Sequence, residues 1–534
     1  MSFLLCSWQL PEVHVILGVA ILLLGFVYRD RPIFVSQCDH IKGPPGLPLI
    51  GNTLQVLKDA ANPLQAMLAR SMQYGLPNTM TVIGMGRAIN VTRPDWIQHI
   101  QKTNFANYVK GPKLRACLHD LLGDGIFNAD GNTWKAQRKV GSNIMTTSNL
   151  KNLVSHVLDA QSERFCALLQ QASDKAEPVD LQSAFFDFTI HTFLNIAFST
   201  DLDSVQSADC PADMEASASH LSFAEAFDLA QQLSVRRINR PWWKLNRHWS
   251  SEEKKLQGAI RKIDNCLFPL IERRSSDESS NTRPDLLGLF LAYRDEQQEP
   301  LSHRQLRDAL LNYLLAGRDT TAESLSWATF ELLRHPSAIR NLREEISVNE
   351  ILFDTPQGIE SMHFNDFPAE RSSTFEFGHT KQLHQARAIY HESLRLHPSV
   401  PRSSKVALDD DILPGGVFVP KGTTVIWSDW LLARSKDVWG EDASEWKPHR
   451  WLDSKGVFVN QSPWKFHAFN GGPRACLGIQ LAQFQGMYML TRIFSQFDLQ
   501  LESDLGCHHE PEVENTLTLP MKKPLMVRIY PRID

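Results

Sequence analysis

Phe469-Asn470-Gly471-Gly472-Pro473-Arg474-Ala475-Cys476-Leu477-Gly478 is the stretch that decides how this chain is read. It fits the pattern F-x-x-G-x-R-x-C-x-G at every fixed position. A match of that kind arises by chance on the order of 10⁻⁴ times in a chain of this length. A thiolate such as Cys476 can hold a haem iron from one side and push electron density onto it, which favours O–O cleavage. Gly472 and Gly478 keep bulk away from a porphyrin plane and permit backbone angles closed to other residues. Turn amides aimed at the sulfur stabilise its negative charge. Arg474 is placed to meet a haem propionate, and Phe469 opens the run. The competing reading is a buried structural cysteine on a glycine-rich turn.

The longest helical pattern upstream runs from Leu301 to Arg334, with Ser302 as N-cap and Pro336 as the stop. It contains Ala316-Gly317-Arg318-Asp319-Thr320-Thr321. Mid-helix glycine costs about 1 kcal/mol relative to alanine, so it serves a purpose there. The small pair Ala316-Gly317 lets the helix pass close to a flat cofactor. Thr320 can bond back to the carbonyl of Ala316, bending the helix and freeing space for O₂ or water. Asp319 is then positioned to supply protons through solvent. A surface aspartate and a helix-facing threonine would look the same in isolation.

Together these two runs resemble the haem-binding and oxygen-activation motifs of the cytochrome P450 family. The resemblance implies a mainly α fold with small β-sheets and haem b whose iron is axially ligated by Cys476. It implies that Thr320 hydrogen-bonds the oxygen being activated and that Asp319 takes part in proton delivery. Glu392-Ser393-Leu394-Arg395, followed by Leu396-His397-Pro398, resembles the family's E-x-x-R-x-x-P element, a buried structural pair. Glu331-Leu332-Leu333-Arg334 fits the same spacing but lies on the helix already assigned to oxygen. Arg450 would be the third member, although His449 stands where the family commonly has an acid. Trp134 and Arg138, at i and i+4, resemble a propionate-binding pair, and a donor-only indole beside a permanent cation suits a carboxylate. Lys405 sits where the family often has a second propionate-binding base.

The body of the chain agrees. It has 534 residues, 43% hydrophobic content and a net charge of −5, so no global field favours nucleic acid. Its eight cysteines are scattered and form no C-x-x-C pair, which points to a reducing compartment. Residues 1–30 read as a membrane anchor: Phe3 to Tyr28 carries a single formal charge, Glu12, and Arg29 and Arg31 follow. That charge order puts the body on the cytosolic side, and the family's endoplasmic-reticulum anchors look similar. A cleaved signal peptide is the rival, without a basic n-region to support it. Residues 31–52 form a proline-rich, stiff hinge, and residues 53–534 a single catalytic domain. Thr79–Val91 reads as strand with breaks at Gly84 and Gly86, and Val417–Val419 with Thr423–Ile426 as a strand pair flanking Pro420. Loops are expected at 201–220 and 275–284. A long polar insertion spans 347–380.

No glycine-rich dinucleotide or flavin fingerprint follows a strand, so electrons must come from outside. The resemblance implies NADPH-cytochrome P450 reductase as donor, docking on a basic face that includes Lys135, Arg138 and Lys139. Arg236 to Lys244 mixes cations with tryptophans, which suits either a membrane interface near a substrate entrance or plain packing. The motifs most resemble fungal members that hydroxylate alkanes and fatty acids. Similar sequences serve fungal secondary metabolism of polyketides or terpenoids. The segments after Tyr108 and around Val400 are expected to line the pocket. Two other classes stay open: a reductase-independent peroxide isomerase or peroxygenase, and a non-catalytic haem sensor.

Overall fold

The computed structural model describes residues 10–33, 35, 40–146, 148–199, 221–240, 242–276, 285–294, 299–351, 353, 375–376, 378–502 and 511–532. Its axis is the 32-residue helix His303–Arg334, about 48 Å long at 1.5 Å per residue. The helix starts where its cap predicts. Ser302 Oγ accepts from the Gln305 amide at 3.3 Å, and the Gln305 side chain accepts from the Ser302 amide at 2.9 Å. It ends at Arg334, and Pro336 opens the next helix, Pro336–Val348, because proline fits a first turn and not an interior. Helix Leu181–Phe198 packs along one side of the axis. Phe185, Phe188, Phe193, Leu194 and Phe198 are all buried on it, and only Ser183 and Asp187 in its first half are exposed. Helices His384–Leu396 and Ile479–Gln496 also pack on the axis, and all join one apolar core.

Three small sheets complete the body. The largest has the order β1 (Asn78–Val82), β2 (Gly86–Asn90), β8 (Thr424–Ser428), β5 (Arg402–Ala407), β3 (Tyr108–Val109). β1 and β2 form the hairpin that the glycine breaks predict. β2 and β8 are parallel, and the remaining neighbours are antiparallel. A second sheet has the order β4 (Val179–Asp180), β10 (Met526–Pro531), β9 (Phe497–Leu501). The third is β6 (Asp411–Leu413) with β7 (Val417–Val419). The expected pairing across Pro420 is therefore corrected. β7 turns back on β6 through Gly415 and Gly416, both at positive φ, while β8 enters the large sheet between β2 and β5.

Helix Leu10–Val27 holds 18 residues, about 27 Å against a hydrocarbon core of about 30 Å. Among the described residues no helix is long and apolar enough to cross a membrane. Leu17, Leu22, Leu23 and Phe26 are exposed on it. The proline-rich segment is strapped to the body. Asn52 Nδ2 donates to the carbonyls of Pro44 and Pro45 at 3.1 and 3.2 Å, and Asn52 Oδ1 accepts from the Thr81 amide at 2.9 Å. A Cβ on Gly43 would meet the Thr79 carbonyl oxygen at 2.0 Å, so only glycine allows this approach.

Segment 236–244 divides. Arg237 is buried against Glu253 and Asp120, with the Trp243 ring 4.1 Å from its guanidinium, so packing is the reading that holds for Trp243. Trp242, Leu245 and Trp249 face outward. The expected loop 201–220 lies outside the described residues. So do 277–284 of the second loop, whose first residues still belong to helix Ser251–Ser276. Most of the 347–380 insertion lies outside them too.

Glu392 joins this architecture together. Its side chain is fully buried. It accepts from Arg395 Nε and Nη2, each at 2.8 Å, from Arg450 Nε at 2.9 Å, from Trp451 Nε1 at 2.9 Å and from the Lys447 amide at 2.8 Å. Arg395 in turn donates to the carbonyls of Ala433, Ala443 and Glu445. His449 stays exposed and outside the network, and Arg450 finds its second carboxylate on Asp442, at 3.4 Å. Glu331 serves a different partner, His397 Nε2 at 2.8 Å. Removing one member of such a set leaves a buried charge unpaired, at roughly 3–5 kcal/mol. Arg395→Ala should lower the urea midpoint by that amount of stability, and an unchanged midpoint would show the pair to be dispensable.

Candidate active site

The cysteine run is a closed loop. The Cys476 amide donates to the Phe469 carbonyl at 2.8 Å, and the Ala475 amide to the Gly472 carbonyl at 3.0 Å. Gly472 has φ +62°, and a Cβ there would lie 2.6 Å from the Gln101 carbonyl oxygen, so this position requires glycine. Around Gly478 a Cβ would meet nothing within 4 Å, which leaves open space beside the sulfur. Cys476 is accessible to solvent although protein atoms crowd it. Burial pushes its thiol up, and the Gly478 amide and the Arg138 guanidinium pull it back down.

Trp134 and Arg138 share a face of helix Gly131–Thr146. Arg138 Nη1 donates to the Ala475 carbonyl, next to Cys476. The buried Trp134 ring lies 4.5 Å under the Arg474 guanidinium. Arg474 Nη2 donates to Asp130 Oδ1 and to the Ala129 carbonyl, both at 3.0 Å, while its Nε is buried without a partner among the described residues. Lys405 arrives from β5 and is 4% exposed. Its Nζ has no hydrogen-bond partner among the described residues. Burial, then Lys110, then Arg474 drive its pKa down to about 6. Lys110 is itself lowered to about 8 by burial and Arg474. Sequence reasoning missed Lys110 and Asp130. The Asp130 carboxylate accepts the Lys110 amide at 2.9 Å and so sets the chain after Tyr108 against Arg474. No short motif marks either residue.

Inward lysines and arginines around a lone carboxylate are a poor resting state and a good anion site. The two propionates of haem would supply the missing negative charge, and Cys476 would meet its iron. The residues present fit that group. Of the predicted docking cations, Lys135 and Lys139 are exposed, whereas Arg138 turns inward to the cysteine loop and leaves that face.

The oxygen helix reaches the same region. Thr320 Oγ1 donates to the Ala316 carbonyl at 2.6 Å, as its i−4 position predicts. Around Gly317 a Cβ would touch Phe193 alone, at 3.5 Å. Asp319 is only 3% exposed, so it does not reach solvent directly. Arg318 Nη1 bridges it, at 2.9 Å, to Asp228, whose side chain is 53% exposed. Burial raises the Asp319 pKa to about 6 against the pull of Arg318. Glu323, one turn on, was also missed, although its i+4 position was visible. It is fully buried, accepts from the Leu519 amide at 2.9 Å, and burial raises it well above the usual carboxylate range. Segment 399–401 closes the wall, with Ser399 Oγ donating to the Thr320 carbonyl at 3.0 Å.

The family model described as Cytochrome P450 matches residues 41–527. The chain is 38% identical to Cytochrome P450 monooxygenase cyp1 of Mycosarcoma maydis, over 97% of this chain and 79% of that protein. It is 34% identical to Cytochrome P450 704C1 of Pinus taeda, over 83% of this chain and 84% of that one. Against Cytochrome P450 94A1 of Vicia sativa it is 30% identical, over 92% and 90%.

Lys405→Met tests the anion site with two signs. Between pH about 6 and 10.5 the folded protein holds fewer protons at Lys405 than the unfolded chain, so this residue destabilises the fold most at low pH within that window and least above it. The variant should melt higher than wild type at pH 7 when both are free of haem, and should release haem faster when both are loaded. A lower melting point without haem would mark Lys405 as an ordinary structural lysine.

Proposed function

Because this chain belongs to the cytochrome P450 family, we propose that its monooxygenase chemistry is run by haem b held on Cys476, with electrons from NADPH-cytochrome P450 reductase. The substrate is hydrophobic: a fatty acid or alkane, or a polyketide or terpenoid intermediate of secondary metabolism. The observation that carries this reading is the convergence of Cys476, Arg138, Trp134, Arg474 and Lys405 on one wall.

When bound, the haem supplies an iron that binds O₂ and accepts electrons one at a time. The protein supplies the rest. Arg474, Lys405, Arg138 and Trp134 take the propionates and fix the plane. Phe469, Gly472 and Gly478 shape the loop so that the sulfur meets the metal without bulk around it. Thr320 holds a proton at Oγ1, and turning away from Ala316 presents it to the oxygen. Asp319, poised near pH 6, reloads that proton. Arg318 keeps its own protons and holds Asp319 in place by pairing it with the half-exposed Asp228. The intact Asp319-Thr320 pair favours this over peroxide isomerisation, which needs no proton delivery.

The apolar surface of Leu10–Val27, with Arg29 and Arg31 after it, supports a single membrane anchor in the endoplasmic reticulum with the catalytic body in the cytosol. Outward Trp242, Leu245 and Trp249 support a second contact with the membrane interface. Exposed Lys135 and Lys139 offer the reductase a basic face.

Two measurements test the core of this. Reduced, CO-treated wild type should show a Soret band near about 450 nm, the signature of a thiolate ligand. Cys476→Ala should lose it; the same band in that variant would displace Cys476 as ligand. Thr320→Ala should consume NADPH at a comparable rate yet divert most electrons away from product, whereas normal coupling would remove Thr320 from proton delivery.

A further inference from the structure

Asn312 interrupts the apolar run Leu310-Leu311-Asn312-Tyr313-Leu314-Leu315 of the oxygen helix, and it is fully buried. A buried amide costs free energy unless its hydrogen bonds are made. Asn312 makes them to backbone. Its Nδ2 donates to the Leu122 carbonyl at 2.9 Å and to the Asp308 carbonyl at 2.7 Å, and its Oδ1 accepts from the Phe127 amide at 3.0 Å. One turn earlier, Asp308 Oδ2 accepts from the Asp124 amide at 3.2 Å, and Arg307 Nη1 donates to the Leu121 carbonyl at 2.7 Å. Two glycines let the neighbouring backbone come this close. A Cβ on Gly123 would lie 1.9 Å from Asp308 Oδ2, and one on Gly125 would lie 1.9 Å from Asn312 Nδ2.

The segment held in this way ends at the propionate wall. Between Phe127 and Asp130 the chain is cross-tied. The Asn128 and Ala129 amides both donate to the Gly125 carbonyl at 2.9 Å, and the Asn128 side chain donates to the Gly123 carbonyl at 2.8 Å. Asn128 and Ala129 are buried. At the far end, Arg474 Nη2 meets the Ala129 carbonyl and the Asp130 carboxylate, both at 3.0 Å. Asp130 also accepts the Lys110 amide and directly precedes helix Gly131–Thr146, which carries Trp134 and Arg138. Hydrogen-bonded backbone of residues 122–130 therefore connects Asn312 with Arg474. The helix at one end is long and packed into the core, so position is passed from the helix to the guanidinium.

We propose that Asn312 is a positioning residue for the cofactor: it pins segment 122–130, that segment fixes Arg474, and the oxygen helix thereby sets how long haem is retained. This deepens the haem-thiolate reading and rests on it. Residues that orient a ligand from one step behind cost about 10- to 100-fold in affinity when removed. The coupling is reciprocal, so a propionate that tightens Arg474 also tightens the segment.

The test measures haem release to an excess of haem-free myoglobin from wild type, Asn312→Ala, Gly125→Ala, Arg474→Gln and the double variant Asn312→Ala with Arg474→Gln. Asn312→Ala and Gly125→Ala should each release haem about 10- to 100-fold faster than wild type. Their reduced, CO-treated forms should keep the band at about 450 nm, since the thiolate ligand is untouched. On the Arg474→Gln background, Asn312→Ala should add little, because its effect passes through that guanidinium. Full additivity in the double variant would make Asn312 a structural amide only. Release at the wild-type rate from Asn312→Ala would remove it from haem retention. Should these variants not fold, hydrogen exchange on the wild type decides. Loading haem should slow the Asp124 and Phe127 amides, and exchange unchanged by haem overturns the link. A wild type that takes up no haem sinks the haem-thiolate reading and this proposal with it.

Discussion

A single buried carboxylate, Glu392, holds together the parts on which the site depends. Its oxygens collect two guanidinia, an indole and an amide from two stretches of chain, its own helix and residues 447–451. Arg395 then directs its remaining donors to carbonyls of segment 433–445. Trp451 reaches the cysteine loop through Phe466, whose ring lies 4.8 Å from it and 6.1 Å from Phe469. The loop has no regular secondary structure of its own beyond a short 3₁₀ turn, so its position is inherited from this network. Buried ion pairs seldom add net stability; their contribution here is a unique arrangement. A hydrophobic replacement of similar volume could pack as well and still leave the loop free to settle elsewhere.

The charges are arranged differently at the two faces of the site. Beneath the cysteine loop lie cations in excess, with Asp130 as their carboxylate. On the oxygen helix lie buried acids, Asp319 and Glu323, with Arg318 as the bridge to Asp228. The first arrangement wants an anion in place. The second wants protons, since burial holds both acids toward their neutral form. One side therefore binds permanently and the other exchanges, and burial drives both with opposite sign for base and acid.

How much of this was legible depended on how local the signal was. The cysteine loop, the capped oxygen helix and the Thr320 back-bond are set by residues close together in the chain, and the sequence carries them openly. Glu392 and Glu331 share the same local spacing, and only position separates them: Glu331 lies on the oxygen helix, whereas Glu392 sits on a helix of its own. Lys110 and Asp130 were not visible as site residues, since their meaning lies in the surroundings: an excess of one charge is a property of three dimensions. The β7–β8 pairing failed for the same reason. Two adjacent strand-like runs invite a hairpin, but the large sheet offered β8 two neighbours, β2 and β5, from distant parts of the chain. Asp319 was expected to supply protons through solvent, and only the fold shows that it is buried and paired with Arg318.

Lys405 has a consequence beyond the site. A lysine buried without a hydrogen-bond partner among the described residues makes the empty fold carry a standing electrostatic cost that a bound dianion removes. Occupancy therefore sets how much of the protein exists as well as how much of it works. A cell short of the prosthetic group would hold more of this chain in opened forms, where quality-control proteases act. Its steady-state level would then track cofactor supply even at constant synthesis, so that a single desolvated ammonium group links metabolic state to protein abundance.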